Sequence, residues 1–527
     1  MAKIKTYDTT LRDGTQAQGV SFSLEDKLLI ARRLDEFGMD YIEGGFPQSN
    51  PKEVQFFEQL AQSPLKSARL VAFGSTRRAG VKVEEDAGIR ALLEAGTPVC
   101  TVVGKCWDLH VSAVLRCSNE ENLAVCADSV KYLKQKGKEV VFDAEHFFDG
   151  YRANPEYAMK VLTAAAEAGA ACLVLCETNG GRLPNEVYDI TSTVVKALPG
   201  VEIGIHCHND TDCAVANTLA AVCAGARHIQ GTVNGMGERA GNANLCTILP
   251  NLSLKMGFET VGEEKLKTIT ELSRFVFEVA NLAPTANMPY VGESAFSHKG
   301  GLHIDALRKN QKTYEHIDPE TVGNTRKFLI SELSGASNVL DKLEKKKVIT
   351  DKAVVREILQ RVQDLENEGY QFETAEASFD ILVKKAMGSY KPCFELEKYH
   401  IDVERSTDGR MVTEVSVKLK VDGKTEHVVC EGDGPVNALD GALRRALDPF
   451  YPNLRTMSLI DYKVRVVNAK AGTAARVRVV IESRDADDLW GTVGVSENVI
   501  EASWIALVDS IEYKLMKDAG SLGNYVK

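Results

Sequence analysis

In the run IHCHND, His206 and His208 stand two residues apart, a spacing that turns both rings to the same side of a β-strand and leaves Cys207 on the other. Imidazoles so placed either bind a divalent metal or serve as hydrogen-bonded polar residues at a sheet rim. Near the N-terminus, TYDTTLRDGTQAQG packs Asp8, Arg12 and Asp13 close behind a short β-rich run, and NGMGERAGN carries Glu238, Arg239 and Asn242 on a glycine-rich loop. Asp13, His206, His208 and Asn242 together make a mixed nitrogen and oxygen set. It suits Mn²⁺, Mg²⁺ or Zn²⁺ with positions left for substrate oxygens, rather than a closed structural zinc. Arg12 beside such an ion can neutralise charge building on a carbonyl oxygen under attack by a carbon nucleophile. The plainer reading is a salt bridge from Arg12 to Glu43, and the two readings are compatible, because a carboxylate behind the arginine would orient it.

These residues are far apart in the chain, so the elements must gather them. From residue 1 to about 270 a β-rich run, a polar turn and a helical stretch recur. The runs are KIKTYD (3–8), DYIEGG (40–45), RLVAFG (69–74), PVCTVVG (98–104), EVVFDAE (139–145), ACLVLCE (171–177), VEIGIHC (201–207) and HIQGTVN (228–234). In SLEDKLLIARRLDEFG, Leu24, Leu28, Ala31 and Leu34 recur at helical spacing, with Ser23 and Asp26 set for capping and Gly38 for termination. Eight strands alternating with helices predict a (β/α)₈ TIM barrel of the α/β class, whose reactive groups gather at the C-terminal strand ends. A doubly wound sheet is the alternative, but no GxGxxG follows the first strand. Closure makes the eighth strand a neighbour of the first, so the four candidate ligands can converge. Glu145 and Thr178, ending strands five and six, point to the same mouth. Glu145 is read as acid, base or orienter, and Thr178 as a donor to a substrate carboxylate or a helix cap. Cys172 and Cys176, four apart on a strand, are read as core, with metal binding by the pair as the lesser alternative.

Residues 271–368 read as a helical linker around FSHKGGLHIDALRKNQKTYEHI, with LEKKKVITDK as a solvated turn. Residues 369–527 read as a separate α+β domain of two β-then-α halves, in which MVTEVSVKLKVDG and AARVRVVIES each precede a helix. The net charge of −11 argues against nucleic acid as a partner. No apolar run is long enough for a membrane span, and MAKIKTYD lacks the apolar core of a secretion signal. Twelve cysteines without a CxxC pair fit reduced, buried thiols in a cytoplasmic protein.

DTTLRDGTQ, HCHND and NGMGERAGN resemble the metal-dependent Claisen-condensing enzymes related to 2-isopropylmalate and homocitrate synthases. GVSFSLEDKLLIARRLDEFGMDYIEGGFPQSNPKE and AEHFFDGY look most like the citramalate-forming branch. The resemblance spans essentially the whole chain. It implies an acyltransferase that condenses acetyl-CoA with pyruvate and water to give citramalate and CoA, an entry to isoleucine synthesis. The alternative is a larger 2-oxo acid, as in 2-isopropylmalate or homocitrate synthesis.

By the same resemblance Asp13, His206, His208 and Asn242 are the metal ligands and Arg12 polarises the carbonyl, while Gln16, Glu145 and Thr178 contact substrate. His303 would be the base or its partner, supported by Asp305, Asn310 and Tyr314 and reaching the barrel of the other subunit of a homodimer. His298 is read as supporting the site from behind or as structural. The C-terminal domain resembles a regulatory domain for the end product, here isoleucine, with Gly432, Gly434 and Pro435 of GDGPVNAL near its pocket. As an unaided reading that loop is only a turn into a helix. One departure is Asp212, two residues after HND, where the family usually has glycine. The C-terminal domain argues against a simple lyase, and the complete ligand set argues against a silent amino-acid sensor.

Overall fold

The computed structural model describes residues 2–329, 352–409, 411–467 and 475–521. Two compact units emerge, one of residues 1–296 and 316–326, the other of 297–315 and 327–527.

The first unit is a closed barrel of eight parallel strands in sequential order: β1 (Lys5–Asp8), β2 (Tyr41–Gly45), β3 (Arg69–Ser75), β4 (Val99–Lys105), β5 (Glu139–Glu145), β6 (Cys172–Glu177), β7 (Glu202–Cys207) and β8 (His228–Gly231). Closure is made by β8 against β1, from Lys5 opposite His228 to Asp8 opposite Gly231. The two-residue strand period splits the apolar residues into two sets. Tyr7, Tyr41, Val71, Val99, Val141, Cys172, Val174 and Cys176 fill the barrel interior. Ile42, Ala72, Phe142, Leu173, Leu175, Ile203, Ile205 and Cys207 instead join the larger core against the helices. On β7 the parity that sends Ile203, Ile205 and Cys207 outward sends His206 inward.

Local signals set the elements. Helix α1 (Leu24–Phe37) begins with a reciprocal cap in which Asp26 N donates to Ser23 Oγ at 3.1 Å and Ser23 N donates to the Asp26 carboxylate at 2.8 Å. It ends at Gly38, whose φ of 98° is left-handed. Strand β8 stops three residues short of the expected Asn234. Asn234 turns left-handed at φ 63°, and Thr232 Oγ1 donates to Met236 O at 2.6 Å. The resulting turn starts the loop that brings Asn242 back into an antiparallel bridge with His208.

In the second unit, residues 395–518 form two halves of the same plan. Strands Glu395–Arg405, Met411–Val421 and Lys424–Gly432 precede helix Pro435–Leu447, and strands Ser458–Val466, Val477–Arg484 and Leu489–Ser496 precede helix Val499–Asp518. Each half thus has three antiparallel strands. The expected strand MVTEVSVKLKVDG is the central one of its sheet, and AARVRVVIES spans the central strand of the other. Gly432 and Gly434 are not in the left-handed region. Gly432 is required by close approach instead, since a Cβ there would lie 2.6 Å from Ala438 N. Gly434 precedes Pro435, the first residue of the helix. The run LEKKKVITDK, apart from Lys352, lies outside the described residues.

Candidate active site

At the C-terminal strand ends a cavity of about 730 Å³ is lined by Arg12, Asp13, Gln16, Glu145, Thr178, His206, His208, Glu238 and Arg239 among others. Ligand atoms of Asp13, His206 and His208 lie within 4.8 Å of one another. His206 Nε2 is 3.2 Å from Asp13 Oδ2 and 3.4 Å from His208 Nε2, and His208 Nε2 is 4.0 Å from the same carboxylate oxygen. All three side chains are buried. Burial by itself would raise the Asp13 carboxyl, but the Arg12 guanidinium and a hydrogen bond from His206 hold it well below the usual carboxylate range. Burial and the neighbouring His206 push His208 down to about 3, so its ring is neutral and one of its nitrogens keeps a lone pair for a Lewis acid.

Three buried atoms around this point have no hydrogen-bond partner among the described residues: Asp13 Oδ1, His208 Nδ1 and Asn242 Oδ1. Asn242 spends its amide nitrogen on Met236 O at 3.2 Å, which leaves the oxygen available. Of the three atoms, the Asp13 and Asn242 oxygens are acceptors without donors, at about 1–3 kcal/mol each. A cation answers that cost, and the donors fit one of the oxygen- and imidazole-preferring divalent ions.

Further groups orient this set. His206 Nδ1 is 3.0 Å from Gln230 Oε1, and Gln230 Nε2 donates to Asp143 Oδ1 at 3.0 Å. A carboxylate–amide–imidazole chain of this kind fixes the ring and its tautomer. Burial and the charge of Glu43 raise Asp143 to about 7. Arg12 makes the salt bridge to Glu43 expected from sequence. Its Nε donates to Glu43 Oε2 at 2.6 Å, its Nη1 lies 3.2 Å from Asp13 Oδ2, and its guanidinium stacks 3.9 Å from the centre of the Phe73 ring.

Gln16, Glu145 and Thr178 all reach the cavity. Glu145 pairs with Lys105, a residue not singled out from sequence. Thr178 Oγ1 accepts from His146 N at 2.9 Å, which leaves its proton free to donate. Arg239 bridges Asp210 Oδ1 at 2.8 Å and Thr178 O at 2.7 Å. Asp212 does not line the cavity; it takes the left-handed conformation itself, at φ 56°, and accepts from Asn209 Nδ2 at 3.2 Å. Cys172 and Cys176 are both buried in the barrel interior. The residues missed from sequence were Gln230, Asp143, Lys105 and Phe73. Asp143 carried a signal, since it shares strand parity with Val141 and Glu145 in an otherwise apolar run.

His303, Asp305, Asn310 and Tyr314 belong to the second unit. There the His303 and Tyr314 rings stack with centres 4.0 Å apart. Asp305 pairs with Lys309 at 2.6 Å, and Asn310 Oδ1 accepts from Lys312 N at 2.9 Å. His298 Nε2 sits 3.2 Å from Glu315 Oε1.

Comparison with known proteins agrees with this architecture. The HMGL-like family pattern matches residues 3–276, the homocitrate synthase post-HMGL domain-like pattern matches 290–370, and the LeuA allosteric (dimerisation) domain matches 373–515. The HMGL-like pattern takes in all eight strands of the parallel barrel, and the chain belongs to that family. Within it, the chain is 55% identical to an (R)-citramalate synthase of Aquifex aeolicus, covering 98% of each chain. It is 53% identical to the (R)-citramalate synthase of Geobacter sulfurreducens, again over 98% of both. A probable 2-isopropylmalate synthase of Methanopyrus kandleri is 32% identical over 97% of this chain and 98% of its own. The full-length relatives place the chain among the condensing transferases of the family.

Proposed function

We propose that the chain condenses acetyl-CoA with pyruvate and water to give citramalate and free CoA, in the cytoplasm and as a homodimer, with isoleucine as a feedback effector. The observation that carries the reading is the convergence of Asp13, His206 and His208 beside Arg12. Asp13, His206, His208 and Asn242 would hold a divalent cation, Mn²⁺ or Mg²⁺ before Zn²⁺, which when bound supplies Lewis acidity to the keto and carboxylate oxygens of a 2-oxo acid.

Arg12, pinned by Glu43 through Nε, offers positive charge to the oxygen that becomes an alkoxide as the new carbon–carbon bond forms. Thr178 donates its free hydroxyl proton to the substrate carboxylate, and Gln16 and the Lys105–Glu145 pair orient it. Phe73, Val103 and Leu115 give the cavity an apolar side against the ketone's alkyl group. His303, stacked on Tyr314, takes the methyl proton of acetyl-CoA, with Asp305 and Asn310 supporting it. An imidazole suits that step because its ordinary pKa lies near neutrality. His303 is supplied by the other subunit, in keeping with the match to a dimerisation domain. Residues 1–270 then form the catalytic barrel, 271–368 the linker and 369–527 the regulatory domain, with Gly432, Gly434 and Pro435 at the effector pocket.

The test is loss of the acetyl-CoA thioester with pyruvate, 2-oxoisovalerate and 2-oxoglutarate compared side by side, with and without isoleucine. Pyruvate should be turned over with the highest kcat/KM, and isoleucine should lower the rate. A preference for 2-oxoisovalerate would move the chain to 2-isopropylmalate synthesis. No ketone-dependent CoA release with any of them would overturn the reading.

A further inference from the structure

The opposite end of the barrel holds a second cluster that condensation does not use. Cys172, Glu202 and His228 begin β6, β7 and β8, with Cys172 opposite Glu202 in the β6–β7 register. One ligand atom from each lies within 4.8 Å of the others. Cys172 and His228 are 2% and 1% exposed, while Glu202 stands partly open at the rim.

Two observations point to a ligand. Neither ring nitrogen of His228 has a hydrogen-bond partner among the described residues, though Nδ1 faces Glu202 Oε1 at 3.8 Å. The ring is wedged against Tyr7 and Tyr41, with centres 5.3 and 5.5 Å away, so it cannot turn out to water. An imidazole buried with both nitrogens idle is costly, and barrel interiors ordinarily use branched aliphatic residues at such positions. The thiol and the imidazole also close in on Gly204: a Cβ there would lie 3.2 Å from Cys172 Sγ, 3.1 Å from His228 Cδ2 and 3.0 Å from Val174 Cγ2, contacts too tight for a side chain, so glycine lets the two donors approach each other. Lys5 engages Glu202 through Oε2 at 2.9 Å, leaving Oε1 on the His228 side.

We propose that Cys172, Glu202 and His228 form a second metal site, at the N-terminal ends of the barrel strands, for a borderline or soft divalent ion of the Zn²⁺ type. Thiolate, imidazole and carboxylate are the donors such an ion takes, with water in a fourth position reached past Glu202. Bond lengths of about 2.0–2.3 Å set neighbouring donors about 3.3–3.8 Å apart, so binding draws the three together by small rotations. On binding, the Cys172 S–H proton passes to solvent as the sulfur–metal bond forms. The candidate active-site residues Asp13, His206, His208 and Asn242 would offer a cation only oxygen and nitrogen donors, which separates the two sites spectroscopically.

The experiment uses the full chain, freed of metal with a chelator and titrated with Co²⁺ while the thiolate-to-cobalt charge-transfer band is followed. The band should grow to one ion per chain and be displaced by Zn²⁺. It should be absent in Cys172→Ser, and its midpoint should rise at least tenfold in Glu202→Gln. No band in the unsubstituted chain, or a band that survives in Cys172→Ser, overturns the site. If Cys172→Ser does not fold, Glu202→Gln decides, and an unchanged midpoint overturns it equally.

Discussion

Replacing Glu43 by glutamine tests how the arginine of the candidate active site is held. Three donors converge on the Glu43 carboxylate: Tyr7 Oη at 2.6 Å, Thr9 Oγ1, and Arg12 Nε at 2.6 Å. The side chain is fully buried. A glutamine of the same shape offers one acceptor oxygen and turns its amide N–H₂ toward at least one donor. Breaking a buried charge pair costs about 3–5 kcal/mol. Here Asp13 Oδ2 still lies 3.2 Å from Arg12 Nη1, so the lower end applies, about 3 kcal/mol. In a unit of this size that lowers Tm by roughly 5 °C. The guanidinium, no longer anchored through Nε, should drift by about 1 Å and reduce kcat by about 10²-fold. The assay is thioester loss per folded molecule, in Glu43→Gln, Arg12→Ala and the double variant. Arg12→Ala should cost about 10²–10³ in kcat. In its background Glu43→Gln should then change turnover less than about threefold. If Glu43→Gln costs turnover equally in both backgrounds, or lowers only Tm, Glu43 does not act through Arg12.

Other perturbations reach different parts of the barrel. Chelator treatment should lower Tm and added Mn²⁺ restore it, by about 2.7 kcal/mol when the ion is at a hundred times its Kd; Asn242→Ala should weaken that ion by about 10–100-fold in a calorimetric titration. Lys27 is buried and bonds both oxygens of Glu53 at 2.6 Å; Lys27→Met should cost about 3–5 kcal/mol in denaturant unfolding, and adding Glu53→Met should recover most of it. Burial first, and the charge of Glu43 after it, raise Asp8 to about 7 against two bonds from Thr10 that pull it down. A carboxyl raised on folding stabilises most below its unfolded value near 4 and loses that contribution as pH climbs to about 7. Asp8 should therefore cost stability across that window, by up to about 4 kcal/mol. Tm of Asp8→Asn should fall less steeply between pH 5 and 8 than that of the unsubstituted chain, and equal slopes would refute the shift.

Much of this was legible in one dimension. Strand and helix identity depend on neighbours in the chain, so all eight strands and the Ser23–Asp26 cap could be read from period and capping chemistry. The parity of IHCHND is likewise local, and with barrel closure it sufficed to bring Asp13, His206 and His208 together. Tertiary structure decided what depends on groups from distant strands meeting in a dry interior. Gln230 on β8 links His206 on β7 to Asp143 on β5, and Lys105 on β4 takes Glu145 on β5. No spacing in the chain encodes those partners, because strand pairing and burial choose them. Cys172 shows the same division: the sequence marked it as a buried strand residue, and only closure of the barrel set it beside Glu202 and an imidazole whose nitrogens have no hydrogen-bond partner among the described residues. Periodicity determines which way a side chain points; the packed barrel determines what it meets there.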